Sequence, residues 1–410
     1  MAGSLFGTTA VTSGLGFIYW WGAARLADPS MVGYATASIN AMQLAGTIGM
    51  LGLGSMLIGV LESGRRANPG LVTASVCVAG AASLAIAFGI LGFFAMTGER
   101  VFAEPRLSQA LWFGAGAVLT GALVVLDQAL VGSGAGGLQL LRNTVFASSK
   151  LVLLFLFLSM TFAPADEGIL AAWVAGIVVS LAAIMIAVRR RGVAGRHPDF
   201  GALRRLWRAA MAHNAFNIAS QFSRLTVPIV ASTLVSPEAG AAFFMAWMIA
   251  GLAYIVPSHL STALFAVGAG RLEELRAKLR VGLATATGLG LIGVPALWLV
   301  SDPMLRLFGV YYTEVATTPL RILAVCYFAM IVKYHYIAVT RVEGRLAVGS
   351  AMASVGALLE VGGAVIGALS HGILGLTIGF GIGLVLECIV MAPTVWSAAT
   401  RHSEPVAVGS

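Results

Sequence analysis

Apolar residues in this chain come in long runs, each about as long as a membrane helix, separated by short polar or basic segments. Crossing roughly 30 Å of hydrocarbon takes about 20 mostly apolar residues, because a lipid-embedded backbone must satisfy its own hydrogen bonds. The runs predict twelve spans, at residues 4–25, 34–61, 70–96, 108–131, 144–163, 168–188, 210–235, 241–268, 281–300, 318–340, 347–369 and 372–396. Between the fourth and fifth, Gly132 to Gly137 reads as a flexible turn that can unwind either helix end. The longest polar stretch, residues 189–209, divides the spans six and six. The expected fold is an all-α integral membrane protein. An N-terminal six-helix bundle covers 1–188, a basic cytoplasmic linker 189–209, a C-terminal six-helix bundle 210–400 and a cytoplasmic tail 401–410. Within the linker, Leu203, Leu206 and Trp207 share a helical face opposite arginines, which suits either a short helix at the inner interface beside anionic lipid or a solvated connection.

A short internal match supports two parallel halves. Leu26-Ala-Asp-Pro29 precedes the second span and Leu234-Val-Ser-Pro237 the eighth, with Gly33 and Gly240 soon after. Parallel repeats about an axis along the membrane normal are a transporter layout.

Polar residues inside spans are costly, so each calls for a reason. Asn214, Asn217, Gln221 and Arg224 fall on one stripe of the seventh span, and Thr36, Asn40, Gln43 and Thr47 on one stripe of the second. Ser4, Thr8, Thr12 and Tyr19 mark the first span, and Tyr254, Ser258, His259 and Thr262 the eighth. These faces predict a central aqueous cavity, the alternative being hydrogen-bond networks between packed helices. Arg224 is the leading binding residue, since a guanidinium stays charged and its fork suits phosphate. Its structural alternative is an ion pair with Asp127, Glu360 or Glu387. Lys333 lies among Tyr327, Tyr334, His335 and Tyr336, a group that stacks on a sugar or forms a packing layer. Asp127 can pair with Arg142 or Lys150. Glu360 and Glu387 can hold a proton or sodium ion for coupling, or pair with Lys333.

Composition agrees with the pattern. Of 410 residues, 59% are hydrophobic and 10% charged, against roughly 25% charged in soluble domains. The formal charge of +8 comes from arginines between apolar runs, so it reports membrane orientation, and no nucleic-acid partner is expected. With the N-terminus inside, eighteen lysines and arginines fall to the inner side, Arg142 and Lys150 among them, against five outside. Both termini are therefore expected in the cytoplasm, with the protein in the cytoplasmic membrane. Met1-Ala-Gly-Ser4 has no basic segment of a cleaved signal. Cys77, Cys326 and Cys388 sit singly in apolar runs and read as small hydrophobes. There is no P-loop, zinc-type histidine pair or nucleophile elbow, so neither enzyme activity nor a cofactor is expected, beyond possible proton or sodium coupling.

Gly14-Leu-Gly-Phe-Ile-Tyr19, Ala24-Arg-Leu-Ala-Asp-Pro29, Leu126-Asp-Gln-Ala-Leu-Val-Gly132, Leu141-Arg-Asn143 and Lys150-Leu-Val-Leu-Leu154 resemble the polysaccharide flippases of the multidrug/oligosaccharidyl-lipid/polysaccharide exporter superfamily. That resemblance implies two six-helix bundles in a V, working by alternating access. It further implies a polyprenyl-diphosphate-linked oligosaccharide as substrate, with surface-polysaccharide assembly proteins and membrane lipids as partners. Arg224 matches the family's headgroup-binding cations, with Lys333 and Arg25 as further candidates. Asn40, Gln43, Asn214, Asn217 and Gln221 complete the expected substrate face, and Asp127, Glu360 and Glu387 the expected coupling set. A multidrug cation exporter of the same superfamily is the first alternative, although the first two spans hold no carboxylate before Asp28. A major-facilitator carrier would need an aspartate that Gly59-Val-Leu-Glu-Ser-Gly-Arg-Arg66 lacks. A glycan polymerase or ligase would need a large outer loop.

Overall fold

The computed structural model describes residues 2–62, 69–97, 106–160, 164–190, 197–268 and 272–400. The expected tail 401–410 lies outside them, as do Arg65, Arg66, Arg191 and Arg196 and the side chains of Ser4 and Thr8. Among the described residues the structure is helical throughout. The helices are α1 (Ala2–Leu26), α2 (Pro29–Gly49), α3 (Leu53–Glu62), α4 (Pro69–Thr97), α5 (Leu107–Gly132), α6 (Gly136–Ser159), α7 (Ala165–Arg190), α8 (Phe200–Val230), α9 (Pro237–Gly268), α10 (Leu272–Arg306), α11 (Val310–Val342) and α12 (Leu346–Thr400). Nine of the described helices are long and apolar enough to span a membrane, or ten when the bent pair α2–α3 counts as one span. The 55-residue α12 holds two limbs joined at a kink, where His371 and Gly372 leave helical geometry, and α1 adds 25 residues. Twelve spans fit these helices.

Two compact units divide the chain, Met1–Met245 with Leu307–Tyr312, and Ala246–Arg306 with Thr313–Ser410. This division falls later than the expected linker at 189–209. Close packing of α8 on α2 and α3 explains why. The α2–α3 span bends by 52° at Leu51 and Gly52, both with positive φ. At Gly52 a Cβ would overlap the Ala210 carbonyl, so only glycine lets the α8 backbone into the notch. The matched proline motifs meet at the other end of α2. Pro29 starts α2 and Pro237 starts α9, where each costs no helical hydrogen bond. Gly33 lies against the Pro237 backbone, and the Ser232 hydroxyl donates to the Gly33 carbonyl at 3.5 Å.

The basic stretch carries more structure than a linker. α8 starts at Phe200, capped by Asp199, whose carboxylate accepts from the Ala202 amide at 2.8 Å. It runs unbroken for 31 residues. Leu203 is buried with Leu53, Leu57, Ala74 and Val125, and Leu206 packs against that cluster. The apolar face of the segment is thus largely covered by α3, α4 and α5, leaving Trp207 partly exposed and Arg204 and Arg205 outward. Another boundary also moves. α6 starts at Gly136 rather than at 144, because Ser133 and Gly134 (φ +71°) complete the turn in two residues.

In the second unit the two limbs of α12 run antiparallel with backbones in contact. Gly363 lies against Gly379 and Gly367 against Gly375, while Gly383 meets the Leu359 carbonyl; a Cβ at any of these would overlap the facing backbone. Four-residue glycine spacing on both limbs puts these positions on one stripe of each helix. Contact this close brings residues flanking the stripe within side-chain reach.

Candidate functional site

Glu360 sits on the first limb of α12, beside the glycine stripe, and Glu387 on the second. Glu387 lies directly over Gly356, where a Cβ would collide with its carboxyl group. Both carboxylates converge on Lys333 of α11, with Nζ to Glu360 Oε1 at 2.7 Å and to Glu387 Oε2 at 3.0 Å. All three side chains are buried. Cys388 ties the second limb to α11 by donating its thiol to the Ala329 carbonyl at 3.1 Å. Glu387 Oε1 has no hydrogen-bond partner among the described residues.

Two acids share one base here. Breaking such a pair in low dielectric is expensive, whereas a proton can join or leave the set without undoing it. With both carboxylates ionised the set carries one net negative charge; one added proton makes it neutral. This is chemistry suited to a coupling cation. The neighbouring Tyr327, Tyr336 and His335 are buried packing residues. Tyr327 Oη donates to the Ala286 carbonyl at 3.0 Å, and His335 Nδ1 lies 2.8 Å from the Ile331 carbonyl.

The first unit handles its charges differently. Asp127 on α5 pairs with Arg142 on α6 at 2.6 Å, across the short turn at Ser133 and Gly134. Arg142 also donates to Asn143, while its Nε and Nη1 and Asp127 Oδ1 are buried without hydrogen-bond partners among the described residues. Arg142 and Lys150 therefore leave the set of inner-loop cations, since both are buried within α6. Lys150 does not reach Asp127. Its Nζ lies among aromatic rings instead, 3.8 Å from the Trp173 centroid, 4.8 Å from Phe146 and 4.9 Å from Tyr19.

The remaining expected binding residues lie on α2 and α8. Asn40 is buried and donates to the Thr36 carbonyl at 2.8 Å, a bond within its own helix; Gln43 is half-buried one turn on. Asn217 Nδ2 donates to Ser55 Oγ at 2.9 Å, and Ser55 donates to Gln128 Oε1 at 3.4 Å, linking α8, α3 and α5. Asn214 is buried beside Gly52, with Oδ1 unsatisfied among the described residues. Gln221 accepts from Arg224 Nε at 2.6 Å, and Arg224 is exposed. The polar stripe of α8 is thus divided: its first part joins the packing against α2 and α3, its last part stays open. Among the described residues no cluster of three or more His, Cys, Asp or Glu could hold a metal.

Sequence reasoning found the three members of the triad but missed the lysine cage and the glycine stripes. The Gly363–Gly367 and Gly375–Gly379–Gly383 spacing was the available signal for the stripes. For the cage it was Phe146 and Lys150, four residues apart and so on one face of the helix expected at 144–163.

Residues 215–366 match the family model described as MatE. No curated protein matches the chain. Among solved structures, an inward-facing multidrug resistance MATE family transporter of the MOP superfamily is similar with a TM-score of 0.71 at 17% identity, covering 97% of this chain and 96% of that one. A MOP superfamily transporter from Pyrococcus furiosus, described as having a binding pocket of reverse polarity that suggests a different function, gives 0.69 at 16% identity, covering 98% and 96%. A Vibrio cholerae MATE transporter, VcmN, gives 0.67 at 18% identity, covering 97% and 96%. At these identities the likeness establishes the fold, which is that of the MATE transporters over nearly the whole chain.

Proposed function

We propose that the chain is a gradient-driven secondary exporter of the MatE type, carrying a small organic solute across the cytoplasmic membrane by alternating access. The Lys333–Glu360–Glu387 triad carries this reading. It is a buried set of two acids and one base, able to change its proton count inside the bilayer without losing its internal pairing. Likeness to multidrug transporters over 97% of the chain supports the multidrug-type activity over the expected glycan flippase. A proton is the simplest coupling ion for this set, because Lys333 already fills the place between the carboxylates where a metal cation would sit.

A second reading, the flipping of a polyprenyl-diphosphate-linked oligosaccharide, draws on the charge of the first unit. Arg142 and Lys150 are buried there, Arg224 is exposed on α8, and Asp127, near the C-terminal end of α5, is neutralised by Arg142. The two readings separate in one comparison. The exporter reading predicts that everted vesicles containing the protein accumulate members of a panel of aromatic organic solutes, and that collapsing the proton gradient stops accumulation. Restored glycan export in a flippase-deficient strain, with no solute accumulation, would transfer the assignment to the second reading. Failure of both assays would overturn the transporter reading.

A further inference from the structure

Lys150 stands apart from the other buried cations. Arg142 has Asp127 and Lys333 has two glutamates, but no carboxylate reaches Lys150 Nζ among the described residues. The residue is buried, with 5% of its surface exposed. An ammonium placed in a membrane protein without a counter-ion keeps its full desolvation cost, which cation–π contacts offset only in part. Three rings surround Nζ, and Trp173 touches the rings of Tyr19, Trp20 and Phe146. Tyr19 closes one side, held by its hydroxyl donating to the Ile169 carbonyl at 2.7 Å. Trp173 and Phe146 are themselves half-buried. The lysine stem is fixed where α6 and α7 meet closely, with Gly176 against Lys150 Cα and Cβ.

Aromatic cages of this kind ordinarily receive organic cations. Here the cage is filled from within, so a cationic ligand meets a like charge and an anionic one meets the counter-ion the site lacks. Two turns away on the same face of α6, Arg142 keeps two donors without partners among the described residues. We propose that Lys150, with Trp173 and Phe146, forms the substrate subsite of the first unit and that its ligand is an organic anion, bound through a carboxylate or phosphate on an apolar or aromatic body. This deepens the exporter reading and rests on it for the word substrate. The anion itself can be a soluble solute or the phosphate of an isoprenoid lipid.

Trp173 is a reporter in contact with the site. Titration of the purified full-length protein with phenyl phosphate, farnesyl diphosphate and phenyltrimethylammonium, followed by tryptophan fluorescence, tests the assignment; W173F identifies the signal. At least one of the two anions should quench Trp173, and whichever binds more tightly identifies the soluble or the lipid source. Phenyltrimethylammonium should bind at least tenfold more weakly than that anion. K150M should weaken anion binding at least tenfold, with K150R within about threefold of wild type. Equal anion binding by a folded K150M, preference for the cation, or no binding of either anion to the wild type would overturn the proposal. Comparison of anion with cation uses the wild-type chain alone, so it stands if K150M fails to fold. Equilibrium binding requires no gradient, so a failure of coupling leaves this result intact. Gradient-driven export with no anion binding would overturn this proposal alone.

Discussion

Buried charge is where single residues matter most in this protein. Removing one member of a buried ion pair leaves the other uncompensated, at a cost of about 3–5 kcal/mol, whereas replacing both with apolar residues is often neutral. Asp127→Leu should therefore lower the thermal transition of the detergent-solubilised protein sharply, and D127L/R142M should recover most of the loss. Equal melting of Asp127→Leu and wild type would show that the pair adds nothing to stability. Charge counting was enough to nominate Glu360, Glu387, Lys333 and Asp127 from sequence, with Arg142 or Lys150 as the partner of Asp127, because intramembrane ionisable groups are rare and need partners. It could not place Lys150, whose partners are rings. Aromatic residues are ordinary in membrane helices, so nothing in Tyr19, Phe146 or Trp173 alone announces a cage. Nor could spacing tell which side of the α8 stripe meets protein: Asn217 reaches Ser55, while Arg224, seven residues on, is exposed.

At the scale of helices, the α12 hairpin assembles the triad. Its limbs approach closely enough for Glu360 and Glu387 to share one ammonium because glycines face each other along the contact. Gly379→Ala puts a methyl group into the Gly363 carbonyl, so the limbs must separate. Overpacking of this kind costs about 1–3 kcal/mol. The variant should melt lower and lose gradient-driven export, while Gly362→Ala, with nothing within 4 Å of the added carbon, should behave as wild type. Indistinguishable stability and export of the two variants would dissociate the glycine stripe from the site. Hydropathy predicted both limbs, at 347–369 and 372–396, because apolar length is what it measures. It says nothing of which face meets which partner. The stretch after residue 199 shows the same limit: its pattern left a short interfacial helix or a solvated connection open, and α8 begins there with Leu203 and Leu206 packed against protein.

Over the whole molecule, twelve apolar runs yielded the fold class directly, since a bilayer restricts the chain to helices of one length. The unit boundary was not legible. It depends on α8 and the start of α9 packing with the earlier helices, through Gly33 against Pro237 and Gly52 against Ala210, contacts that no hydropathy profile contains. Repeated Leu-x-x-Pro motifs did flag the first of these contacts, for a reason visible only in the structure: Gly33 lies against Pro237.

Coupling through the triad is tested most directly in proteoliposomes holding a transported solute, with an imposed proton gradient and with none. E387Q keeps the shape of the hairpin and the Lys333–Glu360 pair but removes the carboxylate that gives the set its extra negative charge. It should still exchange solute down its own concentration gradient, while the acceleration produced by the proton gradient disappears. An E387Q variant that responds to the proton gradient as strongly as the wild type would contradict the account.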